Sequence, residues 1–400
     1  MGETPHVLVV GGGATGTGIA RDLAMRGLDV TLAERGPLAS GATGRMHGLL
    51  HSGARYAVAD PESARACIAE NDVLRSIADH CIDDTGGLFV QHPDDPPEYL
   101  DRKREACREC SIPVEELSGR EAREREPNLS KDVSRALAVP DGAVDPYRLT
   151  VANATSAQRH GADILPGTPV TNLETDDDGI ASATLRSNDA TSTVDVEYVV
   201  NAAGAWAPDI AALAGIDVST RPTKGALVLT DVESATVVNR CRPKAEGDIL
   251  VPHGTRAVLG ATDVPVEDPD EFPTNDDEIE LLFEELEPVV PALENAQAIE
   301  TFWGVRPLFD PAKDGAVAGD ITRGFTVLDH ERRDDCPGMS TVVGGKFTTH
   351  RQMAEAVSDH VCASFGLDRE CETASTPLPG GGGTPELASF PVEPPIPEWS

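Results

Sequence analysis

Residues 43–58 read TGRMHGLLHSGARYAV and bring His47, His51, Arg45 and Arg55 into one short stretch. Imidazole titrates near neutral pH and can serve as a general base. A guanidinium offers a planar fork of donors suited to anionic oxygens. The stretch lies inside Arg35–Ala59, which holds no acidic residue, although 68 Asp and Glu in 400 residues would put about four in any window of 25. Such a clearing in so acidic a chain points to an anionic ligand, which a nearby carboxylate would repel. Two more cations stand in unusual settings. Arg306 lies in FWGVRPLF with apolar and aromatic flanks, and Lys346 lies in the glycine turn GGKFTT as one of only six lysines.

These residues need elements to hold them. His6–Val10 is a short apolar run ending in GGGATG, followed by Ile19, Leu23 and Met25 at helical spacing, then Gly27, the run Val30–Ala33 and Glu34. That is a strand, a glycine turn, a helix and a strand. Gly11, Gly13 and Gly16 fit G-x-G-x-x-G: the first permits a sharp turn, the second lets a pyrophosphate approach the backbone, and the third lets helix and strand pack closely. The helix start offers N–H groups and the positive end of its dipole to a diphosphate. Glu34 stands where a carboxylate accepts hydrogen bonds from ribose hydroxyls.

A later strand near Val194–Val200 runs into NAAGAW, which suits a second backbone approach to the same cofactor. With the fingerprint at the N-terminus and the acid-free stretch directly after it, this layout favours FAD over NAD. The chain returns to the same style at Thr341–Val343 and GGKFTTHRQMAEAVSDHVCASFG, where Met353, Val357, Val361 and Phe365 mark the buried side of a helix that Gly366 caps. Between these pieces lie two excursions richer in Pro and short strands. The second includes an acidic helix at Asp277–Glu287 behind an Asn275/Glu278 capping box. The reading is a Rossmann-like α/β FAD-binding domain (1–78, 146–212 and 318–374) interrupted by a mixed-sheet α+β substrate domain (79–145 and 213–317). The Pro/Gly-rich residues 375–400 read as a linker or loose tail.

Composition excludes other classes. A net charge of −35 and a pI near 4.5 fit no nucleic-acid partner. Many acids and few lysines suit molar salt, where the Debye length falls to about 3 Å and self-repulsion is screened; a halophilic protein is expected. Cys107 and Cys110 form a lone CxxC in a charged helical pattern, and no metal site is expected. The start MGETPHVLVV has no signal-peptide pattern, and no apolar run approaches the roughly 20 residues needed to span a bilayer. The expected location is cytoplasmic.

The segments VGGGATGTGIARDLAMRGLDVTLAER, GATGRMHGLLHSGARYAVADPESARACIAEN, VPDGAVDPYRLT, VVNAAGAW, NRCRP with DILVP, GVRPL and GGKFTTHRQMAE, in this order, resemble the FAD-dependent glycerol-3-phosphate dehydrogenases. The likeness covers roughly residues 5–380 and is nearest to the large (A) subunit of the anaerobic, quinone-linked enzyme of glycerol metabolism. It implies the two-domain plan of D-amino-acid oxidase and oxidation of sn-glycerol 3-phosphate to dihydroxyacetone phosphate, with hydride leaving C2 for flavin N5. It also implies a second flavoprotein subunit, an iron–sulfur membrane-anchor subunit, and thereby a peripheral place on the inner face of the membrane. That family continues into a C-terminal cysteine-bearing domain; this sequence stops just after Leu378-Pro379-Gly380, so a truncated form or natural short form is expected, without an iron–sulfur centre.

On this resemblance Arg55 and Arg306 are expected to bind the substrate phosphate, with Arg45 a weaker candidate for FAD phosphate or solvent. His51 is expected as the base, with His47 near the flavin and His253 in LVPHGT as a further imidazole. Lys346 assists reduced flavin or binds a substrate oxygen, beside Gly344, Gly345 and a helix starting near Thr348 whose dipole favours negative charge. The expected FAD contacts are Gly11, Gly13, Ala14, Thr15, Gly16, Glu34, Arg35, Thr43, Gly44, His47, Gly48, Leu49, Val170, Ala203, Gly204, Gly345, Lys346, Phe347 and Thr348. An amino-acid or amine oxidase of the same plan is the alternative activity, and an electron-relay or assembly protein the alternative class.

Overall fold

His6–Val10 (HVLVV) forms the central strand of a six-stranded sheet with the order Phe325–Asp329, Met339–Gly344, Tyr198–Asn201, His6–Val10, Asp29–Ala33, Asp163–Leu165. All neighbours run parallel except the edge strand Phe325–Asp329. A parallel strand is buried on both faces, which is why its sequence is a continuous apolar run. Val7 and Val9 pack with Ile19, Leu23, Val357 and Val361 under helices Ala14–Met25, Pro146–Arg159 and His350–Ser364. Leu8 and Val10 face the opposite way and pack with Leu173, Ala183 and Ala207, beneath a three-stranded antiparallel sheet of Val170–Asp176, Gly179–Ser187 and Ala190–Asp195. The structure, a computed structural model, describes residues 4–187, 190–243, 247–309 and 324–394. The expected domain boundary at 317/318 and the last residues of the tail lie outside the described residues.

The two excursions merge into one larger sheet. The first supplies Gly87–Gln91, Glu115–Ser118 and Arg135–Val139, and the second supplies Thr220–Thr230, Val237–Arg240, Ile249–His253, Arg256–Gly260, Val264–Pro265 and Ala298–Phe309. They join where Val237–Arg240 pairs in parallel with Gly87–Gln91. Long antiparallel pairing of Thr220–Thr230 with Ala298–Phe309 places Arg306 opposite Thr223. Together the sheets make the two-domain plan of the D-amino-acid-oxidase type, a Rossmann-like domain interrupted by a mixed-sheet domain.

Three local expectations change. The strand expected at Val194–Val200 is two strands in different sheets: Ala190–Asp195 pairs antiparallel with Gly179–Ser187, while Tyr198–Asn201 pairs parallel with His6–Val10. An apolar period does not report where a chain passes from one sheet to another. The acidic helix spans Asp276–Leu286 with Asn275 at its N-cap, but no side-chain cap bond forms. Glu278 turns inward instead, pairs with the buried ammonium of Lys224 and accepts a hydrogen bond from Thr262 Oγ1 at 2.8 Å. A buried ion pair outweighs an exposed capping box, because Lys224 would otherwise be an unpaired charge in the interior. The described part of the tail has no helix, as its Pro/Gly content dictates, yet it packs. Leu378 N–H donates to Ile77 O at 2.7 Å, Leu38 N–H to Pro391 O at 3.0 Å, and Tyr147 Oη–H to Glu393 O at 3.2 Å.

Candidate active site

The glycine turn is shaped by close backbone contact. Gly11 has φ +114°, and a Cβ there would lie 2.5 Å from the Ala202 carbonyl oxygen. At Gly16 a Cβ would meet Gly11 O at 1.9 Å, so any side chain would push the helix off the strand. Ala14 N–H donates to Thr43 Oγ1 at 3.0 Å, and the first turn carries no acid. Glu34 is fixed by two backbone donors, Gly12 N–H at 2.6 Å and Gly36 N–H at 2.8 Å. A carboxylate anchored through N–H groups at the end of the second strand, with a glycine cradle beside it, fits the ribose and diphosphate of a dinucleotide.

A cavity of about 1450 Å³ lies between the domains. Its lining includes Gly11, Gly13, Ala14, Thr15, Glu34, Arg35, Thr43, His47, Leu49, Val170, Ala203, Gly204, Gly345, Lys346 and Phe347, together with Arg45, His51, Arg55 and Arg306. Four expected contacts stand behind the wall. Gly16 packs as described. Gly44 admits Tyr147, whose hydroxyl would lie 2.1 Å from a Cβ there, and Gly48, at φ +73°, admits His253. Thr348 is buried and its Oγ1 accepts the His51 backbone N–H at 3.1 Å.

The cations that line the cavity have partners that no local window contains. Arg55 donates to Asp248 Oδ1 at 2.6 Å, and Arg306 approaches Asp263 Oδ1 at 3.4 Å while donating to Thr262 O at 2.9 Å. The acid-free stretch around Arg55 and the apolar flanks of Arg306 are therefore true of the chain and untrue of the space, because the second domain brings a carboxylate to each. Lys346 Nζ donates to Ser63 Oγ at 2.9 Å and sits 4.5 Å from the Tyr56 ring. A 3-10 turn, Phe347–Thr349, precedes helix His350–Ser364 and sets the direction of its N-terminus.

The three histidines differ. His47 lies among the cavity walls, and burial, followed by the charges of Arg55, Arg306 and His253, pushes its pKa down to about 3; it is a neutral imidazole. His51 lines the cavity with its ring 5.3 Å from Tyr56 and 6.1 Å from His47, and its carbonyl accepts from Asn71 Nδ2 at 3.1 Å. His253 is buried, is absent from the lining, and its Nε2 lies 2.9 Å from His47 O.

Several lining residues escaped the sequence reading. Trp206 closes NAAGAW. Arg240, Arg242 and Asp248 lie in the NRCRP and DILVP segments, and Lys103 is one of the scarce lysines. Asp270 carried no signal: it crosses from the second domain to pair with Arg35 at 2.7 Å and to accept from Trp206 Nε1 at 2.9 Å.

Fold and cavity define a two-domain protein with a dinucleotide-type site between its domains. The FAD dependent oxidoreductase family profile matches residues 6–351. The chain is 54% identical over 393 residues to the A1 subunit of anaerobic glycerol-3-phosphate dehydrogenase from Haloferax volcanii, covering 95% of this chain and 67% of that protein. It is 42% identical over 384 residues to the A subunit of the Escherichia coli K12 enzyme, covering 94% and 70%. Among solved structures, glycerol-3-phosphate dehydrogenase of Bacillus halodurans complexed with FAD superposes with a TM-score of 0.73 at 22% identity, covering 95% and 69%. The chain belongs to the FAD-dependent oxidoreductase family, in the branch of the anaerobic glycerol-3-phosphate dehydrogenase large (A) subunits, and FAD is its cofactor.

Proposed function

We propose that the protein oxidises sn-glycerol 3-phosphate to dihydroxyacetone phosphate and passes the electrons to a quinone through partner proteins. The observation that carries this reading is that Arg55 and Arg306, from different domains, line the same cavity as His47 and His51. Two guanidiniums lining one cavity suit a phosphate dianion. When bound, FAD supplies the acceptor for the hydrogen that leaves C2 with its electron pair.

The chain's own residues do the rest. Arg55 and Arg306 hold the phosphate and so orient C2. His51 takes the hydroxyl proton, completing the loss of two electrons and two protons from the alcohol. Its backbone is held by Thr348 and Asn71, which limits where the ring can go. His47, kept neutral, stays available as a hydrogen-bond partner and adds no charge that would compete for the phosphate. Lys346 places a positive charge against the developing negative charge at the reacting end. The expected FAD contacts that line the cavity, and the domain division at 78/79, 145/146 and 212/213, belong to the same proposal, supported by that lining and by the two largest sheets, while Leu49–Leu50 pairs with Gly142–Val144 across the first two divisions.

The relatives are named as single subunits of a larger enzyme, which supports an assembly. Its other members would be a second flavoprotein and an iron–sulfur anchor, placing the chain peripherally on the inner face of the membrane. Among the described residues no helix is long and apolar enough to cross a membrane. The test is an absorption spectrum of the purified holoprotein without oxygen, before and after addition of substrate. Glycerol 3-phosphate should bleach the flavin bands. Bleaching by glycine or sarcosine, with none by glycerol 3-phosphate, would replace this reading with an amine oxidase.

A further inference from the structure

Helix Pro97–Glu109 buries a stripe of Leu100, Lys103 and Cys107, with a lysine at the centre of an otherwise apolar face. Lys103 is 2% exposed, lies 4.5 Å from the Phe89 ring and 5.5 Å from the Tyr99 ring, and donates from Nζ to Ala54 O at 2.9 Å. Among the described residues no carboxylate lies within ion-pair distance of it. An ammonium held this way is expensive to desolvate, and a leucine or methionine would fill the stripe at lower cost. The hydrogen bond it makes goes to the residue immediately before Arg55.

The turn at that point is narrow. Gly53 adopts φ +92°, and a Cβ there would lie 2.2 Å from Ala64 O, so helix Pro61–Ile77 presses on the turn from one side while Lys103 grips it from the other. The far end of Arg55 is held by Asp248, also 2% exposed, at 2.6 Å. Asp248 closes the loop between strands Val237–Arg240 and Ile249–His253, where its carbonyl accepts Arg240 N–H at 3.1 Å. Lys103 belongs to the first excursion and Asp248 to the second.

We propose that Lys103 and Asp248 are positioning residues for Arg55, one fixing the backbone that carries it and the other its guanidinium, so that the phosphate-binding cation is set before substrate arrives. The inference rests on the reading of Arg55 given above. The energetic logic is preorganisation: a cation already held in place loses less freedom on binding.

Anaerobic stopped-flow reduction of the holoprotein by glycerol 3-phosphate separates the possibilities, run on wild type, Lys103→Met, Asp248→Asn, Arg55→Ala and the double variant Arg55→Ala/Lys103→Met. Lys103→Met should lower the bimolecular reduction constant by about tenfold, the size of one lost hydrogen bond to a charged group, through weaker binding and with the saturating rate kept. Asp248→Asn keeps the shape of the side chain and loosens Arg55, but it also removes a carboxylate that repels the dianion, so its loss should be smaller than that of Lys103→Met. In the Arg55→Ala background the Lys103 change should cost less than about twofold, because its partner is gone. An undiminished constant in Lys103→Met overturns the inference. So does an equal loss in both backgrounds, which would mean that Lys103 acts independently of Arg55, or a Lys103→Met protein that has lost its FAD, which would make Lys103 a support of the fold. A wild-type flavin that glycerol 3-phosphate does not bleach refutes the activity itself, a different result from a bleached flavin without coupling.

Discussion

Replacing Arg306 with Ala tests the electrostatics of the cavity most sharply, because it does two things at once. It removes a guanidinium from the phosphate, and it strips Asp263 of a partner now 3.4 Å away. Loss of a charged hydrogen-bonding contact costs about 3 kcal/mol, roughly a hundredfold in affinity. The second concerns what is left behind. Asp263 lies in the cavity wall at 21% side-chain exposure, and at an effective dielectric near 20 a carboxylate about 6 Å from a phosphate charge repels it by about 3 kcal/mol, or roughly 1.4 after screening, a repulsion that Arg306 no longer offsets. Arg306→Ala should therefore raise the KM for glycerol 3-phosphate by about a hundredfold. Arg306→Ala/Asp263→Asn should recover about tenfold of that loss. The assay is steady-state reduction of an artificial electron acceptor against substrate concentration, with FAD content measured on each protein. If the double variant is no better than the single, Asp263 is not an electrostatic opponent of substrate. An unchanged KM in Arg306→Ala would remove Arg306 from the phosphate site altogether.

Other consequences concern the cofactor, pH and salt. Gly16→Ala puts a methyl 1.9 Å from Gly11 O, so the variant should purify without FAD; a normal flavin spectrum would show that the turn relaxes at little cost. His350 is buried, with Nδ1 against Phe347 O at 2.9 Å and Nε2 3.3 Å from Asn153 Nδ2, and burial lowers its pKa to about 4. Its folded pKa lies below the unfolded value of 6.5, so the unfolded chain binds the proton first and stability falls as pH drops from about 6.5 towards 4. Urea melts of His350→Gln should show a shallower acid loss over that window, and a slope equal to wild type would assign the effect to other groups. With a net charge of −35, the melting temperature should climb between 0.1 and 2 M KCl as self-repulsion is screened. A flat or falling curve would contradict the halophilic reading of the composition.

The sequence by itself determined the elements whose signals are local. The strand His6–Val10, the glycine turn and helix Ala14–Met25 follow from apolar runs and from glycines that only a tight turn requires, and all three are present as strand, turn and helix. Gly366, at φ +65°, ends helix His350–Ser364 for the same local reason. Tertiary structure alone decided the partners. Nothing near Arg55 or Arg306 in the chain announces Asp248 or Asp263, since partners 193 and 43 residues away leave no short-range pattern. Local reading favoured Glu278 as a capping residue, and Lys224 drew it inward because burying a lone ammonium costs more than an unmade cap. Charge thus marked where an anion belongs, but which carboxylates temper that charge depended on how the second excursion folds beside the first domain.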